Sequence, residues 1–258
     1  MRYISSGGLG DYFIVSLKMQ DIAKGDDDID WLHVESNDIV KPIAEINKLF
    51  EVPTTLIVWD KDYIRHMKFT RSPGRVFYDS LSDFPTAPRS KSRIPIPTPV
   101  IGKCGFYGLE HKLQNPFLGK KIEPKKACDI VIQCSGGVNN ERNWKDLRGM
   151  INLLGVLGRE ITLIGTDEYF KDQSFKKAEN LVGKTTLTEA MGIVQNCNLY
   201  IGMSGLLSYF ACASKVKNVH TIESKSHEIS YFHKDWSDYT IPVKGYPAEI
   251  LNCVRKLT

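Results

Sequence analysis

Two glycine-bearing turns stand in the two halves of the sequence, each between a short apolar run and a helix-like one. They are Ser5-Ser6-Gly7-Gly8-Leu9-Gly10-Asp11 and Ser135-Gly136-Gly137-Val138-Asn139-Asn140-Glu141-Arg142-Asn143-Trp144. A glycine turn that opens a helix offers free backbone N–H groups and the positive end of the helix dipole to an anion. The second turn adds Arg142, whose guanidinium suits a phosphate. The first turn carries Asp11. A carboxylate there has two readings: an acceptor for a proton drawn from a hydroxyl, or an acid favoured by the helix dipole alone.

The elements that must position these turns alternate along the chain. In the first half, residues 1–4 read as a strand and Tyr12 to Lys24 as a helix with Phe13, Ile14 and Leu17 on one face. Trp31 to Glu35 reads as a second strand. Asp38 to Phe50 reads as an amphipathic helix with Asp38 as N-cap, and Thr54 to Trp59 as a strand apolar on both faces. A short helix is expected over Asp62 to Lys68 and a fourth strand over Arg75 to Tyr78.

The second half repeats the pattern. Strands are expected at Asp129 to Cys134, Glu160 to Ile164, Leu199 to Gly202 and Asn218 to Glu223, with a short strand or turn at Asn180 to Gly183. Helices are expected at Trp144 to Leu157 with Gly158 as stop, Leu187 to Cys197, Ser204-Gly205 to Ser214, and Ala248 to Leu257. Thr185 or Thr186 caps the second of these, with Glu189 near capping-box spacing. Such alternation predicts parallel sheets with right-handed crossovers. Loops at the carboxyl ends of parallel strands are where open α/β sheets bind ligands.

The chain has 258 residues, 42% hydrophobic and 25% charged, enough for one large α/β domain or two small ones. No apolar run approaches the ~20 residues of a membrane span, and no secretory leader pattern opens the chain. A cytoplasmic protein without transmembrane insertion is therefore expected. The net charge of +4 is mild, but the excess is local: Arg89, Lys91 and Arg93 in one stretch, Lys120, Lys121, Lys125 and Lys126 in another. Each is either a solvated loop or a rim that attracts an anionic acceptor or surface. Residues 84–99 hold five of the twelve prolines and read as a connector or surface flap. The six cysteines include no Cys-x-x-Cys and sit mostly in apolar runs, as buried reduced thiols do. His227 and His233 have no partner at ligand spacing, so no metal site is expected.

Motif order in the second half resembles the donor-binding domain of GT-B glycosyltransferases of the bacterial heptosyltransferase type, glycosyltransferase family 9. The stretches that carry the resemblance are Ile-Val-Ile-Gln-Cys-Ser-Gly-Gly followed by Arg142-Asn143-Trp144, Ile-Thr-Leu-Ile-Gly-Thr-Asp, and the run from Val182 through Leu187 and Tyr200 to Gly205. In the first half the resemblance rests on Gly8-Leu9-Gly10-Asp11. It implies an α/β fold of two Rossmann-like domains facing a central cleft, the N-terminal one reduced. Residues 1–122 would bind the acceptor and 123–258 the nucleotide-sugar donor, with the last helix a candidate to pack back on the first domain.

The resemblance also implies roles. Arg142, two residues before a Trp, would bind the donor diphosphate with Gly136, Gly137 and Asn139. Thr166 and Asp167 would bind the nucleoside. Thr185, Thr186, Ser204 and Gly205 would line the nucleotide-sugar, and Asp11 would be the general base, with Asp11 and Arg142 the catalytic pair. Gly8, Gly10, Arg89, Lys91 and Arg93 would meet the acceptor. The expected activity is inverting, metal-independent glycosyl transfer. It needs no cofactor beyond a nucleoside-diphosphate sugar as co-substrate. The expected acceptor is anionic: a glycan or lipid-linked saccharide, or a modified DNA base as in phage-type DNA glycosyltransferases. One departure bears on the sugar. The family's Asp-Thr/Ser-Gly with a His three residues on is replaced by Met203-Ser204-Gly205 and Ser208.

Other folds fit less well. Ser-Gly-Gly-Leu-Gly-Asp lacks the G-x-G-x-x-G spacing of a dinucleotide oxidoreductase, and Gly183-Lys184-Thr185 has Ala178 where a phosphate loop needs glycine. The rival reading is a non-catalytic nucleotide-sugar or carbohydrate-binding protein of the same fold.

Overall fold

The short apolar runs of the first half assemble into a four-stranded sheet. Its strands are β1 (Arg2–Ser6), β2 (Asp30–Glu35), β3 (Thr54–Val58) and β4 (Val76–Phe77), in the order β3-β2-β1-β4. The computed structural model describes residues 2–6, 9–23, 30–35, 40–50, 54–58, 76–77, 115–123, 128–135, 144, 146–203, 205–221, 234–243 and 246–257. The chain divides into two units, Met1–Pro116 and Phe117–Thr258. In the first, β1 pairs with β2 and β2 with β3 in parallel, while β4 joins β1 antiparallel. That two-residue edge strand departs from the all-parallel expectation, and antiparallel edges on otherwise parallel sheets are common.

Two helices of the first unit are described. Helix α1 (Leu9–Ala23) buries Tyr12 through Leu17 without a break, and Met19 as well. The expectation of a single apolar face is thus too narrow, because a helix apolar all round is a buried helix. Ser16 fits among these side chains by donating its hydroxyl to Tyr12 O at 2.8 Å. Helix α2 (Val40–Asn47) buries Ile43 and Ile46, and Phe50 just beyond it meets the ring of Phe13 edge-on at 5.7 Å. The Tyr12 hydroxyl donates to Asn47 Oδ1, tying the two helices. The short helix expected at 62–68, Asp38 and the proline-rich stretch lie outside the described residues.

The second unit is built on a six-stranded sheet of β5 (Cys128–Gln133), β6 (Ile161–Ile164), β7 (Glu179–Asn180), β8 (Cys197–Gly202), β9 (Lys217–Thr221) and β10 (Thr240–Val243). The order is β10-β9-β8-β5-β6-β7 and every pairing is parallel. Parallel neighbours need crossovers over a sheet face. Among the described residues α3 (Leu147–Gly155), α4 (Glu168–Lys171), α5 (Leu187–Gln195) and α6 (Leu206–Ala213) lie between successive strands, and α7 (Pro247–Leu257) follows the last one.

Helices α3 and α7 pack on each other, and their Leu147, Met150, Ile151, Leu154, Ile250 and Val254 join Ile130, Ile132, Leu163, Leu199, Ile201 and Val219 of the sheet in one apolar cluster. Helices α5 and α6 pack on each other, α5 against β5 and β8 and α6 against β8 and β9. Strand β10 and the short helix α4 escaped the sequence reading. Pro242 weakens the strand pattern, and β10 tolerates it because it is an edge.

The cysteine expectation is met at four of the five described positions. Cys128, Cys134, Cys197 and Cys212 are buried, Cys253 is half-buried, and all five thiols are free. Burial pushes the Cys134 thiol from its ordinary 9.0 up to about 12, with the Asp167 carboxylate adding to the shift. Cys212 rises to about 11 for the same first reason. These folded values lie above the unfolded one, so the stability they support is complete below pH 9 and drains as pH climbs through the folded values. Chemical denaturation between pH 9 and 11 should therefore give a slope shallower in Cys134→Ala than in the parent, by up to about 1.4 kcal/mol per pH unit. Identical slopes would reject the assignment.

Candidate functional site

Strand β5 lies between β8 and β6, and all three run the same way, so the loops that follow them gather at one edge of the sheet. Buried Cys134 and Ser135 continue β5 toward the second glycine turn. After β6 comes Gly165 at φ +142°, a conformation that L side chains rarely adopt. A Cβ there would lie 3.7 Å from both Cys134 N and Ser135 Oγ, so the β5 and β6 loops run side by side. The β7 loop joins them, since Gly183 N donates to Gly165 O at 2.8 Å.

Thr166 is exposed and Asp167 half-buried at this edge. Asp167 caps α4, its Oδ1 accepting from Tyr169 N at 2.8 Å. The cap is formed, and a carboxylate offers about four lone-pair sites. Thr185 is half-buried and Thr186 exposed. Thr186 and Glu189 form the expected capping box: Thr186 Oγ1 accepts from Glu189 N at 3.2 Å, and Glu189 Oε2 accepts from Thr186 N at 2.9 Å. A threonine hydroxyl that accepts in this way retains its own O–H to donate.

Gly205 is the N-cap residue of α6, stands at φ +155° and supplies no side-chain cap. Three residues on, buried Ser208 donates its hydroxyl to Met203 O at 2.5 Å. The residue at the place of the resembled family's histidine therefore turns inward. In the first unit, Gly10 and Asp11 lie in the first turn of α1. Gly8, Arg89, Lys91, Arg93, Gly136, Gly137, Asn139, Arg142 and Ser204 lie outside the described residues.

Part of the basic stretch at 120–126 lies elsewhere. Lys120 and Lys121 are exposed on a segment held where α5 ends and β8 begins. Ile122 N donates to Gln195 Oε1 at 2.6 Å, Gln195 Nε2 to Lys120 O at 3.0 Å and Asn196 Nδ2 to Ile122 O at 3.1 Å. This is the amino-terminal edge of the sheet, opposite the loops just described. The same edge is closed by Arg159 paired with Asp129, to which Asn198 also donates at 2.8 Å.

Two polar side chains that the sequence reading passed over meet at the carboxyl edge. Gln133, the last residue of β5, donates from Nε2 to Ser135 O at 2.6 Å and accepts at Oε1 from the Tyr200 hydroxyl. Its backbone carbonyl accepts from Trp144 Nε1 at 2.6 Å. The available signal was a lone amide side chain ending an otherwise apolar run. Among the described residues no group of three or more His, Cys, Asp or Glu is placed to hold a metal ion. No described helix is long and apolar enough to cross a membrane.

No protein-family model matches the sequence, and no curated protein matches it. Solved structures do match in fold. The heptosyltransferase WaaC of E. coli, with ADP-2-deoxy-2-fluoro heptose, is similar at TM-score 0.60 and 13% identity over 99% of this chain and 98% of that one. The ADP-heptose LPS heptosyltransferase II of E. coli is similar at TM-score 0.57 and 11% identity, over 98% and 97%. A glycosyltransferase of family 9 from Veillonella parvula is similar at TM-score 0.54 and 12% identity, over 93% and 85%. The α/β, GT-B-like fold expected from the sequence is thus the fold this chain shares with heptosyltransferases.

Thr186 offers a separation of roles. Aspartate is as good an N-cap as threonine, but it would set a second negative charge against a diphosphate. Thr186→Asp should therefore keep the parent's melting temperature while weakening nucleoside-diphosphate binding about tenfold or more. Unchanged affinity in titration calorimetry would remove Thr186 from the site.

Proposed function

We propose that this protein is a nucleotide-sugar-dependent glycosyltransferase. One observation carries the reading. The loops after β5, β6 and β7 run together at the carboxyl edge of one parallel sheet, with the α6 start after β8 beside them. They arrive in the order that the resemblance assigns to the diphosphate, the nucleoside and the nucleotide-sugar as a whole. The fold shared with heptosyltransferases supports it, one of them holding ADP-2-deoxy-2-fluoro heptose.

The reaction is a single displacement. The acceptor oxygen bonds to the anomeric carbon as the bond from that carbon to the diphosphate oxygen breaks, inverting the centre. Asp11 takes the proton from the acceptor hydroxyl. Arg142, the amides of Gly136 and Gly137 and the start of α6 at Ser204 and Gly205 stabilise the charge gathering on the leaving diphosphate. These donors supply the stabilisation without a metal ion. Asn139 and Thr185 add contacts to the donor, Asp167 and Thr166 hold the nucleoside, and the hydroxyl of Thr186 donates to a phosphate oxygen. The acceptor is anionic, a glycan or a modified DNA base, met by Gly8, Gly10 and the cations Arg89, Lys91 and Arg93.

The inward turn of Ser208 favours a second reading, a binding protein of the same fold without turnover, because an imidazole at the sugar is missing there. A donor panel separates the two. Saturation at 100 times Kd with the correct nucleoside-diphosphate sugar should add about 2.7 kcal/mol to stability, and no stabilisation by any member would overturn the proposal. With the donor found, Asp11→Asn should keep its affinity and lower turnover by about 10²–10⁴. A parent that binds donor but never transfers sugar is the second reading. For the acceptor, binding to DNA that weakens linearly with log salt would select the nucleic acid.

A further inference from the structure

We propose that Gln133 and Tyr200 are positioning residues for donor-phosphate binding: Gln133 holds both ends of the stretch from Ser135 to Trp144, and Tyr200 locks Gln133 in place. The inference rests on the reading of the β5 turn as the diphosphate subsite.

Three bonds converge on Gln133. Its Nε2 holds Ser135 O, where the turn begins, and its carbonyl holds Trp144 Nε1, where the stretch ends. Its Oε1 receives the Tyr200 hydroxyl. The arrangement needs a side chain that donates and accepts at once. An amide does so, whereas a carboxylate only accepts and leucine does neither. A polar side chain at the end of a buried strand is costly without partners, and here both halves of the amide are matched.

The lock is built into β8. Tyr200 is fully buried, and burial holds its hydroxyl well above the usual tyrosine range, so it stays a donor at any ordinary pH. The register that pairs Ile132 with Ile201 brings Gln133 level with Gly202. A Cβ at Gly202 would lie 2.5 Å from Tyr200 Cζ, so glycine leaves the room through which the phenol reaches Gln133. Loops that deliver several amides to a phosphate gain affinity from fixed ends, because ordering is then completed before the ligand arrives.

The test measures Tyr200→Phe and Gln133→Glu beside the parent, with Val254→Ala as a core control of lowered stability. Titration calorimetry with ADP, UDP, adenosine and uridine should give diphosphate affinity lowered about tenfold in both variants, the scale of one buried hydrogen bond. Nucleoside affinity should stay at the parent's value, and the control should change neither. Equal losses for diphosphate and nucleoside would overturn the proposal. Trypsin cleavage after Arg142, followed by mass spectrometry, reads the clamp without any donor. It should run about tenfold faster in Tyr200→Phe than in Val254→Ala, since cleavage of a folded chain tracks local opening. Equal rates overturn the clamp. A parent that binds none of the four ligands overturns the functional reading instead, and the cleavage rates still decide the clamp.

Discussion

Uniform strand direction in the second sheet is the constraint from which the rest follows. Because every pairing from β7 to β10 is parallel, each strand must be followed by a return over a face. Helices then cover both faces, and the central strands must be buried on both sides, as β6 is at all four residues. All carboxyl ends emerge on one edge. With β5 between β6 and β8, loops distant in sequence become neighbours there without any dedicated contact to bring them together.

The two edges of this sheet carry polar groups of different kinds. At the amino edge, Arg159 and Asn198 both donate to Asp129, and the amides of Gln195 and Asn196 bind the backbone of the Lys120–Ile122 segment. That edge is closed by its own hydrogen bonds. At the carboxyl edge, Asp167 and Thr186 are tied into the first turns of helices. Helix capping and anion binding draw on the same unsatisfied amides, so one set of residue types serves both. Their presence in a sequence marks the edge without separating the roles.

What was legible in the sequence depended on the range of the interactions concerned. Strand positions followed from short apolar runs, and the Thr186–Glu189 capping box followed from local spacing, because both are settled within a few residues. Periodicity places Phe13, Ile14 and Leu17 of helix α1 on one face, whereas Tyr12 through Leu17 are all buried. The burial of a helix flank is set by what packs on it, which a local period does not report. Strand β10 was missed because Pro242 argues against a strand everywhere except at an edge, and edge position is a property of the whole sheet. Lys120 and Lys121 read as either a solvated loop or a rim for an acceptor, and the structure ties their exposed segment to the amino edge through residues some 75 positions away.

The sequence by itself determined the strand–helix alternation, the α/β class and the Thr186–Glu189 helix cap, since each is decided by backbone sterics and hydrogen bonds between near neighbours. Only the tertiary structure decided the strand order, which residues share the carboxyl edge, and the meeting of Gln133 with Tyr200 and Trp144. Those pairings join residues 67 and 11 positions apart, and they depend on register between strands. No local pattern encodes that register; the packing of both sheet faces against their helices selects it.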